Sequence, residues 1–259
     1  MAPPVVIEDD GSVATLVLNR PERHNSLVPE LLTALLEALA DVSQARAVVL
    51  AAAGRSFSTG GDVRAFAERD GDELRDYADE LVGLLHETML ALMRLPAPVV
   101  AAVQGTVTGG SLGLLLASDL VLMHPAATVA PWYTTVGFTP DGGWTALLPE
   151  RIGTARAAAV QFTNTAIDAP TALAWGLATG IDPDVRRAAQ DTARTVAGQR
   201  RSATRETKRL LRGDLDAVAA RLDAERAAFV RQITTPEARE GMTAFLAASR
   251  AMGSTRERM

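Results

Sequence analysis

Two short apolar runs, residues 47–53 and 99–103, each open straight into a glycine-rich turn, and this repeated junction restricts the possible folds more than any other feature of the chain. The first run leads into Ser56-Phe57-Ser58-Thr59-Gly60-Gly61-Asp62, the second into Gly105-Thr-Val-Thr-Gly109-Gly110-Ser111. Continuous apolar runs of this length, bounded by turn signals, read as buried strands. After the second turn, residues 111–117 read as a short apolar helix and residues 120–123 as a further strand. Strand, turn, helix and strand in that order make a right-handed crossover. Glycines let backbone N–H groups approach a ligand closely, and a helix starting at Gly110 would leave free amides and a positive dipole end at the turn. Two such donors aimed at one point form an oxyanion hole. Glycine turns after strands also serve as plain structure, and the residues alone leave both readings open. Neither turn has the dinucleotide fingerprint or the phosphate-loop lysine pattern.

The remaining pattern surrounds this junction with helices. Val5 to Ile7 and Val13 to Leu18 read as a hairpin around Asp10-Gly11. Residues 26–40 carry Leu31, Leu32, Leu35, Leu36 and Leu39 on one helical face, and Leu74, Tyr77, Leu81, Leu84, Leu85, Thr88 and Leu92 repeat at helical spacing until Pro96 and Pro98 stop them. From Asp184 onward the chain is almost wholly helical in pattern. The expectation is an α/β core over residues 1–194 and a helical part over 195–259. A chain of 259 residues, 47% hydrophobic and 22% charged, can bury such a core and is not disordered. Its net charge of −5 argues against a nucleic-acid partner. With no cysteine, disulfides, thiolate catalysis and thiolate-held metals are excluded, and His24, His86 and His124 are too scattered to suggest a metal site. Met1 to Asp10 has neither a basic start nor an apolar stretch, and no run of eighteen apolar residues occurs, so no signal peptide or membrane span is expected and a cytoplasmic location is.

Five segments carry a more specific signal. They are Leu18-Asn19-Arg20-Pro21-Glu22-Arg23-His24-Asn25-Ser26-Leu27, Gly54 to Asp62, Pro98 to Gly113, Ala117-Ser118-Asp119, and Gly137-Phe138-Thr139-Pro140-Asp141-Gly142-Gly143. Glu225, Phe229, Glu240-Gly241 and Ala244-Phe245 follow late in the chain. In order, and over nearly the whole chain, these segments resemble the crotonase superfamily, the enoyl-CoA hydratase/isomerase family, with motifs nearest to phenylacetate-pathway-type isomerases. The resemblance implies a spiral ββα core with a helical C-terminal part that packs in a homotrimer or hexamer. It implies an acyl-CoA thioester as ligand, with coenzyme A as part of the substrate and no separate cofactor. The thioester oxygen would sit between the N–H groups of Gly61 and Gly110, and Arg23, Ser58 and Asp62 would lie near the adenine and phosphates.

The acid–base groups separate the reactions within this family. Its hydratases use two glutamates, at the positions of Gly113 and Tyr133 here, and this chain has neither. Asp141 remains, matching the aspartate of some of the family's isomerases, and one base can move a proton between two carbons to shift a double bond. Asp141 could instead cap a helix near Gly142 or fill the turn after Pro140. It also matches the nucleophile of the family's aryl-CoA dehalogenases, in which a histidine on the preceding helix activates water; His86 lies at a matching distance before Pro98. Otherwise His86 is a partly exposed histidine beside Glu87. Tyr133 reads as a pocket wall or a hydrogen-bonding catalytic group; Trp132, Phe138 and Trp144 as pocket or core; and Asp119 as structural. The expected activity is enoyl-CoA isomerisation with Asp141 as base. The alternatives are a hydrolytic, dehalogenase-like enzyme, a hydratase, and a catalytically silent acyl-CoA-binding protein.

Overall fold

The computed structural model describes residues 2–256. β1 (Val5–Asp9) and β2 (Val13–Leu18) form the expected antiparallel hairpin. Helix α1 (Pro29–Asp41) leads to β3 (Ala47–Ala52), and α2 (Val63–Ala67) and α3 (Gly71–Arg94) lead to β4 (Val99–Val103). β5 (Thr106–Thr108), α4 (Leu112–Ala117), β6 (Leu120–Met123), β7 (Thr128–Ala130) and α5 (Tyr133–Val136) follow. Then come α6 (Leu148–Ile152), α7 (Thr154–Thr163), β8 (Ile167–Asp168), α8 (Ala169–Trp175), β9 (Gly180–Ile181) and α9 (Val185–Ala197). Helices α10 (Arg201–Arg212), α11 (Leu215–Ile233) and α12 (Pro236–Arg256) complete the described chain.

A six-stranded sheet runs in the order β1-β2-β3-β4-β6-β9, parallel except at β1, and a second sheet runs β5-β7-β8. The chain therefore winds as a spiral. β4 enters the first sheet, β5 the second and α4 closes the turn; β6, β7 and α5 repeat the sequence. One turn earlier, Ser58 takes the place of a second-sheet strand by bridging Val107 in parallel. This is the expected ββα spiral. The stretch between Gly105 and Gly110, expected as a turn only, contains strand β5 and a 3₁₀ turn at Gly109–Ser111.

The main sheet is covered on both faces, which is why β3 and β4 read as unbroken apolar runs. Val13, Val49, Ala51, Val100 and Ala102 meet a stripe of small residues on α9: Val185, Ala189, Ala193 and Ala197. The opposite face packs Leu16, Leu18, Val48 and Leu50 into the main core with α1 and α3. Residues 194 and 195, between which the boundary was expected, lie within α9, which packs on the sheet; α10, α11 and α12 follow it, and residues 257–259 lie outside the described residues.

Charged ties join α10 to the spiral. Lys208, the single lysine of the chain, donates to the carbonyls of Leu92 and Ala97 at the end of α3, each at 2.9 Å. Lys208 and Arg212 both pair with Asp119, which also accepts the Val99 amide, so Asp119 is structural as expected. No helix among the described residues is long and apolar enough to cross a membrane.

Candidate active site

The two glycine turns lie side by side. Ser58 donates its amide to Thr106 O at 3.2 Å and accepts the Thr108 amide at 3.1 Å. On the other flank, the Leu27 amide donates to Gly60 O and the Asp62 amide to Leu27 O, which leaves the Gly61 N–H outside that ladder. Gly60 has φ +73°, and a Cβ there would lie 2.5 Å from Thr108 O, so only glycine permits this approach. Gly61 and Gly110 both line a cavity of about 780 Å³. Among the described residues neither amide donates to a protein acceptor. Ser58 is fully buried behind the turn, and its hydroxyl donates to Asn25 O at 2.7 Å. Expected near the ligand, Ser58 instead builds the turn that carries Gly61.

Asp141 reaches the same cavity from a loop pressed against the second turn. Gly142 has φ +62°, and a Cβ on it would lie 2.5 Å from Gly110 O, so the two backbones are in direct contact. The Asp141 Oδ1 lies 2.6 Å from the place a Gly110 Cβ would occupy. Its hydrogen-bond partner among the described residues is the Tyr133 hydroxyl, at 2.5 Å. No described backbone amide donates to the carboxylate, so Asp141 caps no helix. Burial pushes the Asp141 carboxyl up to about 7; the Tyr133 hydrogen bond opposes that rise and the negative charge of Glu225 adds to it. Burial, with Asp141 beside it, also raises the Tyr133 phenol well above its ordinary range, so the phenol stays a neutral donor.

Behind the loop stands a carboxylate that sequence reasoning did not assign a role. Glu225 of α11 accepts the Gly143 amide on Oε2 at 2.7 Å. Its Oε1 accepts the Thr145 amide and hydroxyl, each at 2.6 Å, and the Ala146 amide at 2.8 Å. Burial still holds the Glu225 carboxyl above its ordinary value against these donors. The signal was available in the sequence: Glu225 interrupts an apolar stripe of Val218, Leu222, Phe229 and Ile233 on the buried face of α11.

The cavity has two unlike ends. Phe66, Phe138 and Phe229 pack edge-on or tilted, with centroids 5.4–6.0 Å apart, and α3 adds Leu81, Val82 and Leu85. Trp132 lines this wall and is 43% exposed, and Tyr133 lines it as expected. At the other end Arg23 pairs with Asp62 at 2.7 Å and Arg64 stands nearby, while Asp62 also caps α2 through the Arg64 amide. Arg23 and Asp62 both line the cavity.

His86 does not. It is 4% exposed, neither ring nitrogen finds a partner among the described residues, and it is absent from the cavity wall. Burial, with the Arg226 charge, pushes its imidazole down to about 4. Leu85 takes the cavity face of α3, and the next residue is turned about 100° around the helix. His86 is therefore neither the partly exposed residue nor the cavity residue expected from its distance to Pro98.

The spiral and the paired turns define a class of fold, and comparison with known proteins gives the family. The enoyl-CoA hydratase/isomerase profile matches residues 8–251. A 1,2-epoxyphenylacetyl-CoA isomerase of Escherichia coli (strain K12) is 31% identical over 244 residues, covering 92% of this chain and 93% of the relative. A 4-chlorobenzoyl coenzyme A dehalogenase of Arthrobacter is 29% identical over 198 residues, covering 74% and 72% respectively. The crystal structure of an enoyl-CoA hydratase/isomerase from Mycobacterium paratuberculosis superposes with a TM-score of 0.86 at 30% identity, over 94% of this chain and 99% of that one. The chain belongs to the enoyl-CoA hydratase/isomerase family of the crotonase superfamily.

Proposed function

We propose that the protein is an enoyl-CoA isomerase that uses Asp141 as its single proton-transferring base. The observation that carries this reading is one buried carboxylate at the cavity wall, beside Gly110, with a phenol as its hydrogen-bond partner and a pKa raised to about 7. Such a group is a competent base and, once protonated, a competent acid at neutral pH. The acyl chain would lie against the phenylalanine wall, and the Arg23 and Arg64 end would take the nucleotide of coenzyme A. The Gly61 and Gly110 amides would hold the thioester oxygen. Asp141 removes a proton from carbon 2 of a 3-enoyl-CoA, and the electron pair moves through the carbonyl onto that oxygen. The resulting dienolate takes the same proton back at carbon 4, giving the 2-enoyl-CoA.

Two further points favour isomerisation over hydration or hydrolysis. Hydration suits a pair of carboxylates, and a side chain at Gly113 would collide with Met89 Sδ and with Gly142 O. The histidine a dehalogenase needs to activate water is turned away from the cavity. Incubation with a 3-enoyl-CoA and, separately, a 2-enoyl-CoA, followed by NMR of the acyl chain, tests the proposal. Movement of the double bond without hydration or free acid is expected. A 3-hydroxyacyl product, free acid, or binding without turnover would each replace the isomerase reading with one of its alternatives. On the same footing we propose a cytoplasmic homotrimer or hexamer, since Phe162, Leu210 and Leu211 are exposed apolar side chains on α7 and α10; a monomer by light scattering would refute the assembly.

A further inference from the structure

Gly109 and Gly110 flank a single peptide group whose two ends face different surroundings. On one side, the Gly109 carbonyl accepts two donors, the Trp144 indole N–H at 2.8 Å and the Leu112 amide of the following turn. On the other side of the same planar trans peptide is the Gly110 N–H, which has no protein acceptor among the described residues and belongs to a residue of the cavity wall. Carbonyl and N–H point in opposite directions across a trans peptide, so whatever holds the carbonyl also aims the amide. With glycine on both sides, and Gly109 at φ +54°, side chains do nothing to resist rotation of this plane.

We infer that Trp144 is a positioning residue: its indole hydrogen bond, added to that of the Leu112 amide, fixes and polarises the Gly109–Gly110 peptide so that the Gly110 N–H is held toward the thioester oxygen. This rests on the oxyanion reading of Gly110 given above. Trp144 is fully buried and is not part of the cavity wall, so it acts through its neighbours and not by touching a ligand. Its ring meets Tyr133 edge-on, with centroids 6.1 Å apart at 84°. Tyr133 holds Asp141, so one side chain braces both the oxyanion donor and the partner of the base. Donation to a peptide carbonyl also strengthens the N–H of that peptide, because hydrogen bonds in a chain polarise one another.

Two variants isolate the N–H. Trp144→Phe keeps an aromatic face toward Tyr133 but leaves a void. Site-specific replacement of Trp144 by benzothienylalanine keeps the bicycle and puts sulfur in place of the N–H, and it decides the outcome if the phenylalanine variant folds poorly. The first readout is the infrared carbonyl frequency of a saturated acyl-CoA carrying 13C at the thioester carbon, the tightest binder of a chain-length series. The second is the split between kcat and KM on an enoyl-CoA.

For the wild type, binding lowers the carbonyl frequency. In both variants a smaller lowering is expected, with kcat down about tenfold and KM within about twofold, because losing an oxyanion donor outright costs about 10²–10³ and loosening one costs less. Equal lowering in wild type and variants with unchanged kcat would overturn the role of Trp144 while leaving the oxyanion reading intact. So would a higher KM at constant kcat, which would mark Trp144 as packing alone. No lowering in the wild type, or no acyl-CoA binding at all, would overturn the oxyanion reading itself and this inference with it.

Discussion

Asp141 and Glu225 are both buried carboxylates, and both serve the loop that runs from Pro140 to Ala146, yet the protein treats them in opposite ways. Glu225 receives three backbone amides and one hydroxyl. Asp141 receives one phenol. Burial raises both carboxyls; four donors oppose the rise at Glu225, and one opposes it at Asp141, which reaches about 7. A carboxylate saturated with backbone donors ties the loop to its helix and works as a clamp. A carboxylate given a single donor stays close to the point where it can gain or lose a proton. The contrast separates structure from chemistry within one loop, and Glu225 contributes to both by adding the negative charge that raises Asp141.

The sharpest way to break the contrast is Asp141→Asn, which keeps the shape and removes the base. Isomerisation should fall by about 10²–10⁴ while acyl-CoA binding, followed by calorimetry, changes little. Near-normal turnover would make Asp141 structural. Glu225→Gln should act chiefly on stability, since the new amide NH₂ would oppose an N–H donor inside the core. A loss of about 2–4 kcal/mol in urea unfolding is expected, and an unchanged midpoint would deny Glu225 its role as clamp.

The same Asp141→Asn variant should gain stability, with a definite pH dependence. The folded carboxyl titrates near 7 against an ordinary value of 3.8, so the native state favours the protonated form. Ionised Asp141 therefore costs stability progressively as pH rises from about 4 to about 7, and in full above that. The variant should exceed the wild type at pH 8 by on the order of 4 kcal/mol, and the two should converge below about pH 4. The smallest effect is expected for Tyr133→Phe. Removing a donor to the ionised form raises the Asp141 pKa further, so the rising limb of kcat/KM against pH should move toward alkali by roughly one unit. A shift toward acid, or none, would show that the phenol does not tune the base.

Legibility in the sequence followed the type of constraint. β3, β4 and β6 were plain because burial on both faces demands unbroken apolar runs, and α3 because its apolar period ends at two prolines. The second sheet was not. Its strands are two or three residues long, and β5 hides between Gly105 and Gly109, where threonines and glycines read as a turn. That Gly61, Gly110 and Asp141 meet at one cavity was readable because close backbone contact leaves a glycine signature on either side of Asp141. Ser58 and His86 were misplaced for a shared reason. Distance along the chain says which element carries a residue but not which way it faces; Leu85, one position away, faces the cavity that His86 does not. Glu225 was matched to the family but given no role, because a charged residue is ordinary on a helix as charged as α11 and its phase between Leu222 and Phe229 went unused.

The packing at Gly113 also bears on whether the site can be changed. A glutamate there, the residue the family's hydratases place at this point, would need Met89 to shrink and the Gly142 carbonyl to retreat together. Gly142 in turn rests on Gly110, so that retreat would disturb the neighbouring turn as well. A Gly113→Glu substitution made alone therefore meets a clash before it gains a second carboxylate. If the site works with one carboxylate as proposed, this packing helps to keep it so, and an engineer seeking to place a glutamate at Gly113 would have to redesign Met89 and the Asp141 loop before adding the acid.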